Sequence, residues 1–125
     1  GKTLAIVGLA FKPNTDDVRE SPALAIISLL LEEGVELRVH DPAAMEETRK
    51  IFGDRLHYCN DPYEAAEGAD ALVLVTEWNS YRRLDLGRIR SLLRAPVLID
   101  LRNIYIPEEV EKFGFRYESL GRKSI

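Results

Sequence analysis

Cationic and aromatic side chains occupy a polar stretch, residues 11–20, that follows an apolar segment and precedes a helix start. Lys12 offers an ammonium group with three donors, which suits diphosphate oxygens or sugar hydroxyls. Arg19 stands just before the helix start, where its donors and the positive end of the helix can together hold a phosphate. Phe11 adds an aromatic face to the same stretch. The alternative is that both cations are solvated charges paired with acids of their own stretch.

A third cation, Arg102, follows another apolar segment in Asp100-Leu101-Arg102-Asn103. An arginine at that place can bind a diphosphate through two parallel hydrogen bonds, with Asp100 or Asn103 orienting it. The alternative is a structural ion pair between Arg102 and Asp100. Together with Lys12 and Arg19, this arginine indicates binding of a phosphorylated ligand.

The turn after the first apolar segment reads Gly8-Leu9-Ala10-Phe11-Lys12-Pro13 and keeps only one glycine of the dinucleotide fingerprint. Side chains at its second and third positions would obstruct a pyrophosphate, so we expect no NAD bound there in the usual manner. Asp41 follows the second strand, where an acid could contact a ribose. The alternative for Asp41 is an Asp-Pro turn that opens the next helix.

The remaining reactive side chains do not form a catalytic group. We expect Cys59 to be an incidental, half-buried thiol, with no neighbouring cation to lower its pKa. His40 and His57 are predicted to be surface or packing residues. Trp78 either floors a ligand pocket or caps the edge of the sheet. One cysteine and two histidines also predict no metal site of the usual ligand spacing.

Composition narrows the classes of partner. The chain has 125 residues, 46% of them hydrophobic, and a net charge of −4. This charge argues against nucleic acid and anionic membranes as partners, and no apolar run approaches the length of a membrane span. A single cysteine fits a reduced, cytoplasmic protein. Because the chain opens on Gly1-Lys2 without a methionine, we interpret residues 1–125 as one domain of a longer protein.

Apolar segments that alternate with helical patterns predict a Rossmann-like, doubly wound parallel α/β sheet, with helices on both faces. The predicted strands are residues 3–8, 35–40, 56–59, 71–75, 96–100 and 115–117, and the predicted helices are 22–33, 44–52, 62–67, 86–93 and 107–112. The first and fourth strands are expected at the centre. Three loops, residues 9–20, 76–82 and 101–105, should then converge at the carboxyl ends of the strands, where such folds bind ligands.

Four segments resemble the C-terminal, UDP-binding domain of the UDP-glucose/GDP-mannose dehydrogenase family. They are Gly8 through Pro22, Asp41-Pro42, Thr76-Glu77-Trp78 and Asp100-Leu101-Arg102-Asn103, and the resemblance covers essentially the whole chain. Thr76-Glu77-Trp78, with Leu84-Asp85 behind it, is most similar to the UDP-glucose branch.

The resemblance implies that Phe11, Lys12 and Arg102 bind the UDP-sugar substrate and that Arg19 reaches the pyrophosphate of NAD. It also implies that NAD is bound mainly by a preceding domain, which is joined through a central dimerisation region. Such enzymes oxidise the sugar C6 alcohol to a carboxylate in two NAD-dependent steps, through a cysteine of the preceding part. Nothing in this chain resembles that cysteine segment, so we expect the domain to be inactive alone. The intact enzyme would be a homodimer or a larger oligomer.

The sequence is also compatible with other functions. The substrate could be GDP-mannose or a UDP-N-acetylhexosamine. The chain could also be a non-catalytic binding or regulatory module, such as a receiver-like domain, or a domain kept for oligomer packing. A receiver would require a phosphoacceptor Asp after the third strand, where Asn60-Asp61-Pro62 instead predicts a helix cap.

Overall fold

Short segments rich in aliphatic and β-branched residues form one parallel sheet in the computed structural model, which describes residues 2–119. Within that range the strands are β1 (Thr3–Val7), β2 (Glu36–His40), β3 (His57–Tyr58), β4 (Ala71–Leu74), β5 (Val97–Asp100) and β6 (Arg116–Ser119). They lie in the order β3-β2-β1-β4-β5-β6, and every neighbouring pair is parallel. The predicted doubly wound sheet, with the first and fourth strands adjacent, is confirmed.

The connecting helices are α1 (Pro22–Glu32), α2 (Met45–Phe52), α3 (Pro62–Ala66), α4 (Asn79–Arg82), α5 (Leu86–Leu92) and α6 (Pro107–Glu111). A 3-10 turn, Gly53–Arg55, follows α2. Five of these helices were predicted. The helix α4 was not, because a single turn of four residues carries no periodic apolar pattern. No helix in the described part of the chain is long and apolar enough to cross a bilayer.

Two apolar clusters pack on opposite faces of the sheet, as successive side chains of the central strands alternate between them. In β1, Ala5 and Val7 join one cluster, whereas Ile6 joins the other. Ile89 of α5 lies in the first cluster and Ile27 of α1 in the second. The sheet is therefore covered by helices on both faces, and its carboxyl edge is left to the connecting loops.

The start of α1 ties this helix to the loop that precedes it. The Ser21 hydroxyl accepts a hydrogen bond from the Ala23 amide at 3.2 Å and donates to the Leu9 carbonyl oxygen at 2.8 Å. Pro22 occupies the first helical turn, as the sequence predicts. The helix start is therefore fixed against the end of β1, and the intervening residues form a loop at the carboxyl edge.

Candidate functional site

The turn after β1 is shaped by a close approach of two strand ends. Gly8 has φ +98°, and a Cβ atom at this position would lie 2.4 Å from the backbone nitrogen of Thr76. Only glycine fits there. The next two amides, of Leu9 and Ala10, donate to Oδ2 of Asp41 at 2.7 and 3.0 Å. The carboxylate of Asp41 thus holds the amides that would face a pyrophosphate in a dinucleotide-binding turn.

Asp41 is fully engaged within the protein. Its Oδ1 accepts from the amides of Ala43 and Ala44, both at 2.8 Å, and its Oδ2 also accepts from Nε1 of Trp78 at 3.2 Å. With the two amides of the β1 turn, five N–H groups bind one carboxylate that is 1% exposed. A carboxylate offers about four lone-pair sites, so no capacity is left for a ribose hydroxyl. The geometry therefore favours the Asp-Pro turn.

The segment after β4 connects three parts of the carboxyl edge through consecutive side chains. Thr76 Oγ1 donates to the carbonyl oxygen of Ala10 at 2.8 Å, Glu77 binds Arg102, and Trp78 binds Asp41. The predicted convergence of the three loops is confirmed by these contacts. Because its indole nitrogen is bonded inward and its ring packs against both apolar clusters, Trp78 closes the edge of the sheet.

The guanidinium of Arg102 is paired with Glu77. Its Nε donates to Oε2 of Glu77 and its Nη2 donates to Oε1 at 3.0 Å. The guanidinium holds the pKa of the Glu77 carboxyl below its usual range, and the hydrogen bond to Glu77 raises the pKa of Arg102. The register of the two strands accounts for this pair. Leu74 of β4 lies opposite Asp100 of β5, so residues just beyond these two ends are neighbours.

The carboxylate of Asp100 fixes the backbone of the loop after β5. It is fully buried, and its Oδ1 accepts from the backbone amide of Arg102 at 3.0 Å. Its Oδ2 accepts from the amides of Ile104 and Tyr105, at 2.9 and 3.1 Å, and from the Tyr117 hydroxyl at 2.7 Å. The alternative of a structural ion pair between Arg102 and Asp100 is wrong, because these donors occupy the carboxylate. Asp100 instead fixes the backbone from which Arg102 projects.

Arg19 pairs with an acid of its own stretch. Its Nε and Nη2 donate to Oδ1 and Oδ2 of Asp17 at 3.0 and 2.9 Å, and its amide also donates to Oδ1. The hydrogen bonds from Arg19 lower the pKa of Asp17 to about 2, with a small contribution from the charge of Lys12. Arg19 therefore fits the alternative of a solvated charge paired with an acid of its own stretch, and its side chain is 87% exposed. Lys12 is likewise exposed.

The predicted binding residues share one edge but do not share one cavity. Phe11 and Arg19 line a depression of about 460 Å³ together with Asp17 and Glu20. Arg102 lines a separate, mainly apolar groove of about 250 Å³, whose other lining residues are Pro22, Ile26, Val75 and Leu101. Lys12 lines neither of these two depressions. The residues predicted to bind a ligand are therefore distributed over separate depressions of the carboxyl edge.

Cys59 and the two histidines have no catalytic geometry. Cys59 is buried, with 3% of its surface exposed, and not half-buried as predicted, and this burial raises the pKa of its thiol. Contrary to expectation a cation does lie beside it, since Arg38 lowers this pKa, but by less than burial raises it. His40 is buried with Nδ1 3.0 Å from the Tyr81 hydroxyl, and burial lowers its pKa. His57 is exposed and pairs with Glu36. Within residues 2–119, no group of three or more metal-ligating side chains could hold a metal ion.

Comparison with known proteins yields a consistent set of matches. Residues 5–107 match the UDP binding domain of the UDP-glucose/GDP-mannose dehydrogenase family. The chain is 52% identical over 122 residues to UDP-glucose 6-dehydrogenase of Rhizobium meliloti, and 46% identical over 127 residues to that of Pseudomonas aeruginosa. Each match covers 98% of this chain and 28% of the relative. A UDP-glucose dehydrogenase structure from Pyrobaculum islandicum is 36% identical with a TM-score of 0.76, covering 94% of this chain and 25% of that one. The chain therefore spans little more than a quarter of these proteins.

Proposed function

The chain belongs to the UDP-glucose/GDP-mannose dehydrogenase family, and from this premise we propose that it is the nucleotide-sugar-binding domain of an NAD-dependent UDP-glucose 6-dehydrogenase. The reaction of the whole protein would be oxidation of UDP-glucose to UDP-glucuronate. The choice of UDP-glucose over GDP-mannose or a UDP-N-acetylhexosamine is supported by the names of the relatives at 52% and 46% identity.

The observation that best supports this proposal is the hydrogen bonding of the turn after β1. Its Leu9 and Ala10 amides are bonded to Asp41, so this turn does not fit a dinucleotide pyrophosphate. Cationic side chains nevertheless project at the same edge, from Lys12, Arg19 and Arg102. A diphosphate at this edge would therefore be held by side chains and not by a glycine-rich turn. That arrangement suits a domain that binds a nucleotide sugar while another domain holds NAD.

We assign the residues as follows. Arg102 binds the diphosphate of the UDP-sugar, since its backbone is fixed by Asp100 and its guanidinium by Glu77. Phe11 and Lys12 line the UDP-sugar from the β1–α1 loop. Arg19, whose ion pair is with Asp17 of its own loop, reaches the pyrophosphate of NAD seated on the preceding domain. No residue of this chain is assigned a catalytic role.

The resemblance alone supports two further parts of the proposal. The preceding and central domains of the same longer protein would complete the site above the carboxyl edge. The whole protein would act in the cytoplasm as a homodimer or a larger oligomer.

Activity assays on two lengths of protein test the proposal. The full-length protein is expected to form NADH from UDP-glucose and not from GDP-mannose, whereas residues 1–125 alone form none from either sugar nucleotide. NADH formation by the isolated chain that survives Cys59→Ser would contradict the assignment of catalysis to another domain. Oxidation of GDP-mannose in preference to UDP-glucose by the full-length protein would place it in the other branch.

A further inference from the structure

Glu77 lies where the loops after β4 and β5 meet, and its carboxylate pairs with Arg102. We propose that Glu77 is a positioning residue, which holds the guanidinium of Arg102 in the orientation that receives a nucleoside diphosphate. The proposal rests on the diphosphate-binding role assigned to Arg102 above.

The ion pair with Glu77 uses one edge of the guanidinium and leaves its end, formed by Nη1 and Nη2, for a ligand. Glu77 binds the edge formed by Nε and Nη2 of Arg102. A guanidinium carries five N–H donors, so both protons of Nη1 and the second proton of Nη2 take no part in this pair. These donors form the end-on fork that binds two phosphate oxygens in parallel. Glu77 therefore orients Arg102 without competing for that fork.

Glu77 can act as a fixed reference because both of its chain neighbours are anchored. On one side, Thr76 is 2% exposed and donates to the carbonyl oxygen of Ala10. On the other side, the indole of Trp78 donates to Asp41. The backbone of Glu77 is therefore held relative to the carboxyl ends of β1 and β2 as well as to β4. Through Glu77, the position of Arg102 is tied to the central strands of the sheet.

Stability alone does not account for the placement of this pair. The side chains of Arg102 and Glu77 are 38% and 28% exposed, and pairs so accessible to water contribute little to folding. Ordering a long side chain before a ligand arrives does favour binding, because the conformational freedom of that side chain is lost in advance. The corresponding gain in affinity is about three- to tenfold for one such side chain.

The test compares ligands with and without a diphosphate. Dissociation constants of the full-length protein for UDP and for uridine are measured by isothermal titration calorimetry for wild type, Glu77→Ala, Glu77→Gln and Arg102→Ala. Glu46→Ala is the matched control, since it also removes an exposed glutamate–arginine pair, with Arg49 of α2, outside the loops that follow β4 and β5. Thermal unfolding of each variant verifies that it is folded, and Glu77→Gln keeps one acceptor oxygen should the alanine variant fail to fold.

The proposal expects Glu77→Ala to weaken UDP binding about three- to tenfold and Glu77→Gln to weaken it less, with uridine binding unchanged. In an Arg102→Ala background, Glu77→Ala should have no further effect on UDP. Unchanged or tighter UDP binding by Glu77→Ala, or an equal loss for uridine, overturns the positioning role alone. If wild type does not bind UDP, or if Arg102→Ala does not weaken it, the proposed function fails and this inference fails with it.

Discussion

Two arginine–carboxylate pairs lie at the carboxyl edge of the sheet and use the same atoms in different settings. In both, Nε and Nη2 of the arginine donate to the two carboxylate oxygens, with Nη2–oxygen distances of 2.9 Å for Arg19–Asp17 and 3.0 Å for Arg102–Glu77. The first pair joins residues two positions apart, and the second joins residues 25 positions apart. The arginine side chains are 87% and 38% exposed, respectively.

The difference shows what each pair can fix. Asp17 lies in the same loop as Arg19, so their pair leaves the arginine free to move with that loop. Glu77 lies on a different strand connection from Arg102, and its pair fixes one loop against another. A fixed arginine suits a ligand bound by this domain, and a loosely held one suits a contact with a separate body. The following predictions test this contrast.

Replacing Asp41, which binds the segments after β1 and β4, should have the largest effect. Asp41→Asn replaces an acceptor for five N–H groups with an amide that must turn its own N–H group toward some of them. We expect a loss of about 3 kcal/mol in the free energy of unfolding, measured by urea denaturation. The control Asp61→Asn changes an exposed helix cap, where asparagine serves almost as well. Equal stability of the two variants would contradict the role of Asp41.

The pair that joins two loops should matter for ligand binding more than for folding. Arg102→Ala in the full-length protein is expected to weaken UDP-glucose binding by about 2 kcal/mol or more, the loss of a charge-assisted contact. The free energy of unfolding should change by less than about 1 kcal/mol. Arg116→Ala is the matched control, since Arg116 starts β6 opposite Val97, at the amino end of the sheet. Unchanged steady-state constants in Arg102→Ala would contradict the assignment.

The local pair should affect the cofactor instead. Arg19→Ala in the full-length protein is expected to raise the KM for NAD several-fold, leaving the KM for UDP-glucose and the stability of the domain unchanged. Steady-state kinetics with each substrate varied in turn provide the measurement. A defect confined to UDP-glucose would reverse the contrast between the two arginines.

The smallest expected effect is on the pKa values of the two carboxyl groups, Asp17 and Glu77. Hydrogen bonds from Arg19 depress the pKa of Asp17 from 3.8 to about 2, so the stabilisation from this pair is present above pH 3.8 and is lost as the pH falls toward 2. Arg102 likewise depresses the pKa of Glu77 below 4.5, and that pair weakens as the pH falls below this value. NMR of the carboxyl carbons should show Arg19→Ala raising only the pKa of Asp17, and Arg102→Ala only that of Glu77. A shift of both by either variant would contradict their independence.

Much of this fold could be predicted because its signals are local. Ser21-Pro22 and Gly34 bound α1, and the alternation of strands and helices indicates a parallel, doubly wound sheet. The contacts that organise the site are not local. The partner of Arg102 depends on the conformation of two loops, so the sequence suggests its neighbours Asp100 or Asn103 and not Glu77. The inward role of Asp41 has a sequence signal in retrospect, since a turn lacking the second and third glycines leaves amides that a nearby carboxylate can bind.

The most direct test of the central claim is an NMR titration of residues 1–125 with UDP-glucose and, separately, with GDP-mannose. The account predicts chemical-shift changes concentrated in residues 11–20 and 101–105, and larger at equal concentration for UDP-glucose. Changes centred elsewhere on the sheet, or equal responses to the two ligands, would contradict it.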